Sequence, residues 1–366
     1  MSKSAGPSIY IPTDKNIFDA LQHKKVTQGE LVSFLRDRGI LVSSKAPKQQ
    51  LIEKISSLTL SYSDSNWIGR LLENPNRKEK TTHTKLKGKV EDSQIKDACS
   101  VVKSNLTTLG DDSVKISKSG GKTTLTVTYV DHDFTKTEMR QRTIKTCEIQ
   151  IEHDDDGVVM KLPSNKKAKE VSEQLKVALK AKVNDASGDE LEESSISLET
   201  IADAKARSTF FDYLINNIDG FEFDTVTSVD VYHFEQEVLD EFDEEDSEAK
   251  LASYINKAAL AGAGVLESNE FGQLHSQGFY IYRIIWTAID TKTEGPKVEF
   301  EAEFGKPDSC DDFKYSVRGV YPYNERIDDF YVTRKPATPY ENEQYSLKLR
   351  GASEEAFKAA LSAYGG

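Results

Sequence analysis

Apolar residues recur at helical spacing near the start of the chain and at alternating spacing further on. Between Asp14 and Gln22, Ile17, Phe18 and Leu21 form one stripe, and Asp14 is placed to cap it. Thr27-Gln28-Gly29-Glu30 has the form of a capping box, in which the Thr and Glu side chains satisfy two orphan backbone donors. Leu31, Phe34 and Leu35 then share a face, and Gly39 suits a left-handed terminator. Ile40-Leu41-Val42 is too short for a helix and reads as extended. Pro47 fits the first turn of a third helix with Leu51, Ile52, Ile55 and Leu58 inward. Beyond Ser93, the spacing of Ile95, Cys99, Val102 and Leu106 predicts a longer amphipathic helix.

Alternation then takes over. Val114–Ser117 and Thr124–Tyr129 flank the turn Lys118–Lys122, and Thr143–Glu152 and Val158–Leu162 flank Asp154-Asp155-Asp156-Gly157, which predicts two hairpins. Helices are expected over Lys166–Ala181 and Leu198–Asn216, a strand over Phe221–Phe234, and a helix over Asp240–Ala259 that breaks at Gly262-Ala263-Gly264. Phe279–Ala288, Val298–Phe304, Phe313–Tyr321 and Tyr345–Leu349 read as strands, and Ser353–Tyr364 as a closing helix. The order of strands followed by a helix occurs in both Thr124–Ala181 and Phe279–Tyr364, and Val127–Asp131 resembles Trp286–Asp290 locally. The expected class is α+β: antiparallel sheets covered by helices, with two similar lobes as one reading. The divisions drawn are a helical module over residues 1–60, a basic linker over 61–92, a lobe over 93–182, an acidic connection over 183–197 and a second lobe over 198–366.

Within the first module, Leu31, Leu35, Gly39, Ile40, Lys48, Leu51 and Ile55 resemble the helix–extended–helix pattern of SAP and HeH modules. The likeness covers roughly Thr27–Leu58. The connection is about two residues longer than is usual there, and Lys45-Ala46-Pro47 stands where a Gly often precedes the second helix. The resemblance implies DNA binding.

Charge sharpens that expectation. The net charge is −13, yet residues 1–90 hold 16 Lys/Arg against 8 Asp/Glu, so the remainder carries −21. A basic end neutralises phosphates and releases counterions, whereas an acidic body repels nucleic acid and attracts basic proteins. Lys45, Lys48, Arg77, Lys78, Lys80, Lys85, Lys87 and Lys89 are therefore the candidate phosphate contacts, the last six on a flexible arm. Nine acids fall between Glu235 and Glu248, and Glu235, Glu237, Asp240, Glu241, Asp243, Glu244 and Glu245 are the candidates for docking a basic partner. Three widely spaced cysteines suggest a reducing, cytoplasmic setting without a disulfide framework. The most apolar run, Phe279–Ile289, is too short to span a membrane.

No catalytic signature is complete. Ser119-Gly120-Gly121-Lys122-Thr123 resembles the end of a phosphate loop, but Ile116 occupies the required Gly position and a strand follows. Asp131-His132-Asp133 and Glu152–Asp156 combine imidazole with carboxylates, a combination that holds metals but also suits solvated turns. A metal-dependent nuclease would need Asp230 and Asp290 to converge, with Lys292 beside them. No cofactor is expected and the oligomeric state is left open. The leading expectation is a non-enzymatic, DNA-associated protein whose acidic body binds another protein. The alternatives are an acidic adaptor or inhibitor without nucleic-acid binding and, third, the nuclease.

Overall fold

A computed structural model describes residues 12–72, 79–109, 112–135, 142–187, 190–233, 257–262, 266, 268–292 and 295–365. The class is α+β, and every strand pairing described below is antiparallel. Two compact units are present. One comprises Met1–Lys78, Lys89–His153 and Lys166–Glu190; the other comprises Glu79–Gly88, Asp154–Asn165 and Leu191–Gly366.

The first unit opens with four helices: α1 (Asp14–Leu21), α2 (Gln28–Asp37), α3 (Lys48–Ser56) and α4 (Tyr62–Leu72). Capping boxes start two of them, Thr13 with Asn16 and Thr27 with Glu30. Gly39 leaves α2 at φ +75°, and the Ile40 amide returns to the Leu35 carbonyl at 2.9 Å. Leu21, Leu31, Leu35, Ile55 and Ile68 are fully buried together, with Ile40 and Val42 packed on the rim of that core. Phe34 stacks on Trp67 at 4.7 Å. Arg38 lies over the Phe34 ring and pairs with Asp64, whose carboxylate also accepts the Ser61 amide at the start of α4.

The same unit holds α5 (Asp92–Leu109), β2 (Ser113–Ser119), β3 (Lys122–His132), β4 (Arg142–Asp154) and α6 (Lys166–Ser187). Strict alternation along β3 buries Thr123, Leu125, Val127 and Tyr129 on one face. Gly120 and Gly121, both at positive φ, form the two-residue β2–β3 turn, the geometry that matches strand twist.

In the second unit, β1 (Thr81–Lys87) lies between β5 (Gly157–Pro163) on one side and β6 (Glu192–Ser194) and β11 (Asp311–Tyr321) on the other. The order continues from β11 through β10 (Lys297–Lys306), β9 (Tyr280–Asp290) and β7 (Phe221–Tyr232) to β8 (Lys257–Ala261). One sheet face is apolar, with Trp286, Phe300 and Phe304 packed in the core that also takes Phe210 and Phe211 of α7 (Ala204–Asn216). Tyr345, Leu349, Ala352, Ala356 and Ala360 of α9 (Pro339–Gly365) join that core. The remaining elements are α8 (Asn269–Ser276) and the hairpin β12 (Tyr323–Asn324) with β13 (Asp329–Phe330).

Three expectations are corrected. The segment 61–92 is no linker in its described part: α4 places Ile68 and Leu72 in the module's core, and β1 is an interior strand. Tyr345–Leu349 is helical. Its alternation is local, whereas the buried positions from Tyr345 to Ala360 follow the helical period, and Thr338 with Glu341 caps the start. Lys257–Ala259 belongs to β8, paired from Tyr232↔Lys257 onward, while residues 240–256 of that expected helix lie outside the described residues. The repeated order is seen in the chain. A helix, four principal strands and a helix occur as α5-β2-β3-β4-β5-α6 and as α7-β7-β9-β10-β11-α9, with β8 and α8 inserted after β7 and the β12–β13 hairpin after β11. The look-alike segments Val127–Asp131 and Trp286–Asp290 fall on corresponding strands, β3 and β9.

Leu51 is 2 % exposed between α1, α2 and α3. Leu51→Ala should cost about 2–5 kcal/mol. In hydrogen exchange of the full chain, α2 and α3 should lose protection while β9 and β10 keep theirs.

Candidate functional site

Three chain segments meet at one end of the helical module. The Lys48 ammonium donates to the His23 carbonyl at 3.2 Å, which places it against the peptide that begins Lys24. Gln28 reaches from α2 to the carbonyls of Ser44 and Ala46 at 3.1 and 2.7 Å, gripping the turn on both sides of Lys45. These bonds bring the backbone segments that carry Lys24, Lys25 and Lys45 to the same end of the module as Lys48, from the α1–α2 turn, the α2–α3 connection and the first turn of α3. Among the described residues, Lys24, Lys45 and Lys48 have no carboxylate partner, and Lys24 and Lys45 are exposed. Pro47 precedes α3 without a side-chain cap, so its first amides add partial positive charge to the same end. Sequence reasoning singled out Lys45 and Lys48 but not Lys24 and Lys25. Their adjacency was visible, yet nothing in the spacing placed them beside α3.

The other expected phosphate contacts divide. Lys80 pairs with Glu301 at 2.7 Å and Glu303 at 2.5 Å. Lys85 is held by Asp154 at 2.5 Å and by Asp156. These carboxylates overcome burial and raise the Lys85 ammonium above its ordinary value, while Lys85 holds Asp154 below its own. Both lysines are thus neutralised inside the second unit, and the arm expected to be flexible is a strand over Thr81–Lys87. Lys87 and Lys89 are exposed. Arg77 and Lys78 lie outside the described residues, as do Glu235, Glu237, Asp240, Glu241, Asp243, Glu244 and Glu245.

The polar face of the second unit's sheet carries a continuous charge network. Asp230 pairs with Arg283 at 2.8 Å, and Arg283 reaches Glu301 at 2.7 Å and Glu303 at 3.5 Å. Arg318 bridges Glu301 and Glu299 at 3.4 and 2.8 Å, and Arg334 also pairs with Glu299. Burial alone would raise the Glu301 carboxyl, but Lys80 and Arg283 outweigh it and hold it below its usual range. Four carboxylates and four cations, counting Lys80, satisfy one another here. The convergence required of a nuclease is not met. On the β7–β9 ladder Asp230 faces Arg283 whereas Asp290 faces Phe221, seven residues further along β9, or about 23 Å. Lys292 is 4.0 Å from Asp290 alone.

The two His–acid motifs are dispersed as well. His132 stacks on Phe134 while Asp131 pairs with Lys145; His153 contacts Asp92 at 3.1 Å while Glu152 pairs with Lys122. Among the described residues no group of three or more His, Cys, Asp or Glu is arranged to hold a metal ion, and no helix is long and apolar enough to cross a membrane. No motif or spacing pointed to His83, which is buried on β1 with its edge toward Tyr315. Its Nδ1 has no hydrogen-bond partner, and Nε2 is 3.6 Å from Glu354, too long for a hydrogen bond. Burial, followed by the positive charges of Arg350 and Lys161, pushes its pKa down to about 3, against a smaller opposing effect of Asp154. Burial also raises the Glu354 carboxyl, which Arg350 only partly offsets.

Residues 15–78 are similar to a family described as the GAPS4b protein N-terminal domain, and that span takes in α4 together with nearly all of α1. No curated protein matches the chain.

Two outcomes follow from these environments. A histidine whose folded pKa lies below its unfolded value of 6.5 binds its proton more readily in the unfolded chain. His83 should therefore cost stability as pH falls from 6.5 toward 3, by up to about 1.4 kcal/mol per pH unit. In denaturant titrations between pH 7 and 4, His83→Phe should flatten the curve by up to one proton while the remaining groups titrate as before. Arg283→Met should take the cation from Asp230 and leave Glu301 to Lys80 and Arg318, a loss of about 1–3 kcal/mol read as a lower midpoint of urea unfolding.

Proposed function

We propose that the protein is a DNA-associated protein whose N-terminal helical module holds the phosphate backbone, and whose acidic remainder docks a protein partner. The supporting observation is the gathering of Lys24, Lys25, Lys45 and Lys48 from three segments around the start of α3. Lys24, Lys45 and Lys48, which have no carboxylate partner among the described residues, can bind phosphates as point charges, and their counterion release needs no base readout. The gripped turn at Ser44–Ala46 presents Lys45 at little ordering cost, which favours binding over a free tether. The likeness to helix–extended–helix modules is consistent with this reading. The acidic remainder is unsuited to phosphate and is read as the protein-binding part, with the Glu235–Glu248 run as its docking surface.

The test uses the full chain and a fluorescent 20-base-pair duplex across a salt series. Lys24→Ala, Lys45→Ala and Lys48→Ala combined should weaken binding for any sequence and flatten the log–log salt slope by roughly 0.9 for each phosphate that is no longer neutralised. An unchanged slope would remove this cluster from the interface. Lys80→Ala and Lys85→Ala, by contrast, should lower stability and leave the slope as it was.

A further inference from the structure

We infer that Leu41 is an apolar wedge that enters the base stack of duplex DNA beside the phosphates held by Lys45 and Lys48, so that the preferred ligand is a duplex that unstacks easily. This deepens the phosphate-binding reading above and rests on it. Leu41 is 88 % exposed, and among the described residues of the helical module no other large apolar side chain is exposed. Its placement is imposed by the chain. Residues 40–42 lie between α2 and α3 in neither helix nor strand. Ile40 and Val42 pack against the module's core, which turns Leu41 outward.

The display is held at both ends. Gly39 at φ +75° and the Ile40–Leu35 backbone hydrogen bond fix the entry, and Gln28 grips the turn two residues beyond Val42. A partner surface for Leu41 must offer both an apolar slot and negative charge, because Lys45 is four residues further along the same connection. Duplex DNA offers both: stacked base faces that open at a step, between rows of phosphates. Proteins that insert Leu, Ile, Met or Phe between base steps kink the duplex and repay the unstacking through backbone contacts. A mismatched step costs less to unstack, so a wedge binder prefers it.

The experiment compares the full chain and its Leu41→Ser variant on two fluorescent 20-base-pair duplexes, one fully paired and one with a central two-base mismatch. The native chain should bind the mismatched duplex about tenfold more tightly or better. Leu41→Ser should erase that preference and leave the salt slope unchanged. Leu41→Phe should retain the preference. Hydrogen exchange in α2 and α3 should be the same in all three, since the side chain is outside the core. Binding without preference by the native chain, or a preference that survives Leu41→Ser, overturns the wedge and leaves phosphate binding standing. Failure of the native chain to bind either duplex overturns the phosphate reading and the wedge with it.

Discussion

Lys85 reaches from β1 to Asp154 and Asp156, and around that contact the second unit is closed. All seven residues of β1 are in register with β5, from Thr81↔Pro163 to Lys87↔Gly157. The turn before β5 approaches so closely that a Cβ on Gly157 would lie 2.0 Å from the Leu86 carbonyl oxygen. The Gly88 amide completes the corner with a bond to the Asp156 carbonyl at 2.9 Å. At the opposite end of β1, Lys80 joins Glu301 and Glu303. Two lysines that add to the positive charge of residues 1–90 are thus set against carboxylates of the acidic remainder. The charge split along the sequence is partly a record of internal pairing. Part of the positive surplus belongs to the sheet, and the module keeps Lys24, Lys45 and Lys48 without a carboxylate partner among the described residues.

Legibility followed local chemistry. The helices α2 and α3 could be read because each carries its own start signal and a complete apolar stripe. Gly39 was legible as a terminator for the same reason. β1 could not be read: Thr81–Lys87 has one aliphatic residue, Leu86, and its side chains are satisfied by residues about seventy to over two hundred positions away. Such a strand is stabilised by its neighbours and carries almost no pattern of its own. α9 failed differently, since Tyr345–Leu349 alternates over a window shorter than the helix that contains it. The candidate site was half legible. Lys45 and Lys48 are close in sequence, but only the Lys48–His23 bond brings Lys24 and Lys25 to them.

The polar sheet face shows how acids can accumulate in a sequence without creating a binding site. Glu299, Glu301 and Glu303 alternate along β10 with Val298, Phe300, Ala302 and Phe304, so the strand is apolar on one side and anionic on the other. Arginines from β9, β11 and the segment beyond β13 then supply planar donors that fit carboxylates. Glu299 and Glu301 are buried by these partners, so they present little charge to solvent. Their worth lies in fixing the register of β9, β10 and β11. A one-residue slip would bring anions into the aromatic core.

The position of β1 in the sequence has a consequence for how the protein is made. Lys80 and its partner Glu301 are 221 residues apart. At synthesis rates of about 5–20 residues per second, β1 waits roughly 10–45 s for the strand that carries Glu301. Both edges of β1 are unpaired until β5 emerges, and the edge opposite β5 stays incompletely covered until β11 follows, a state exposed to wrong pairing with other chains. Its composition suits the wait. Thr81, Thr82, Thr84, Lys85 and Lys87 make the segment polar, and the lysines repel other copies of the same segment. The feature that hid β1 from pattern reading also protects the nascent chain until the sheet can take it in.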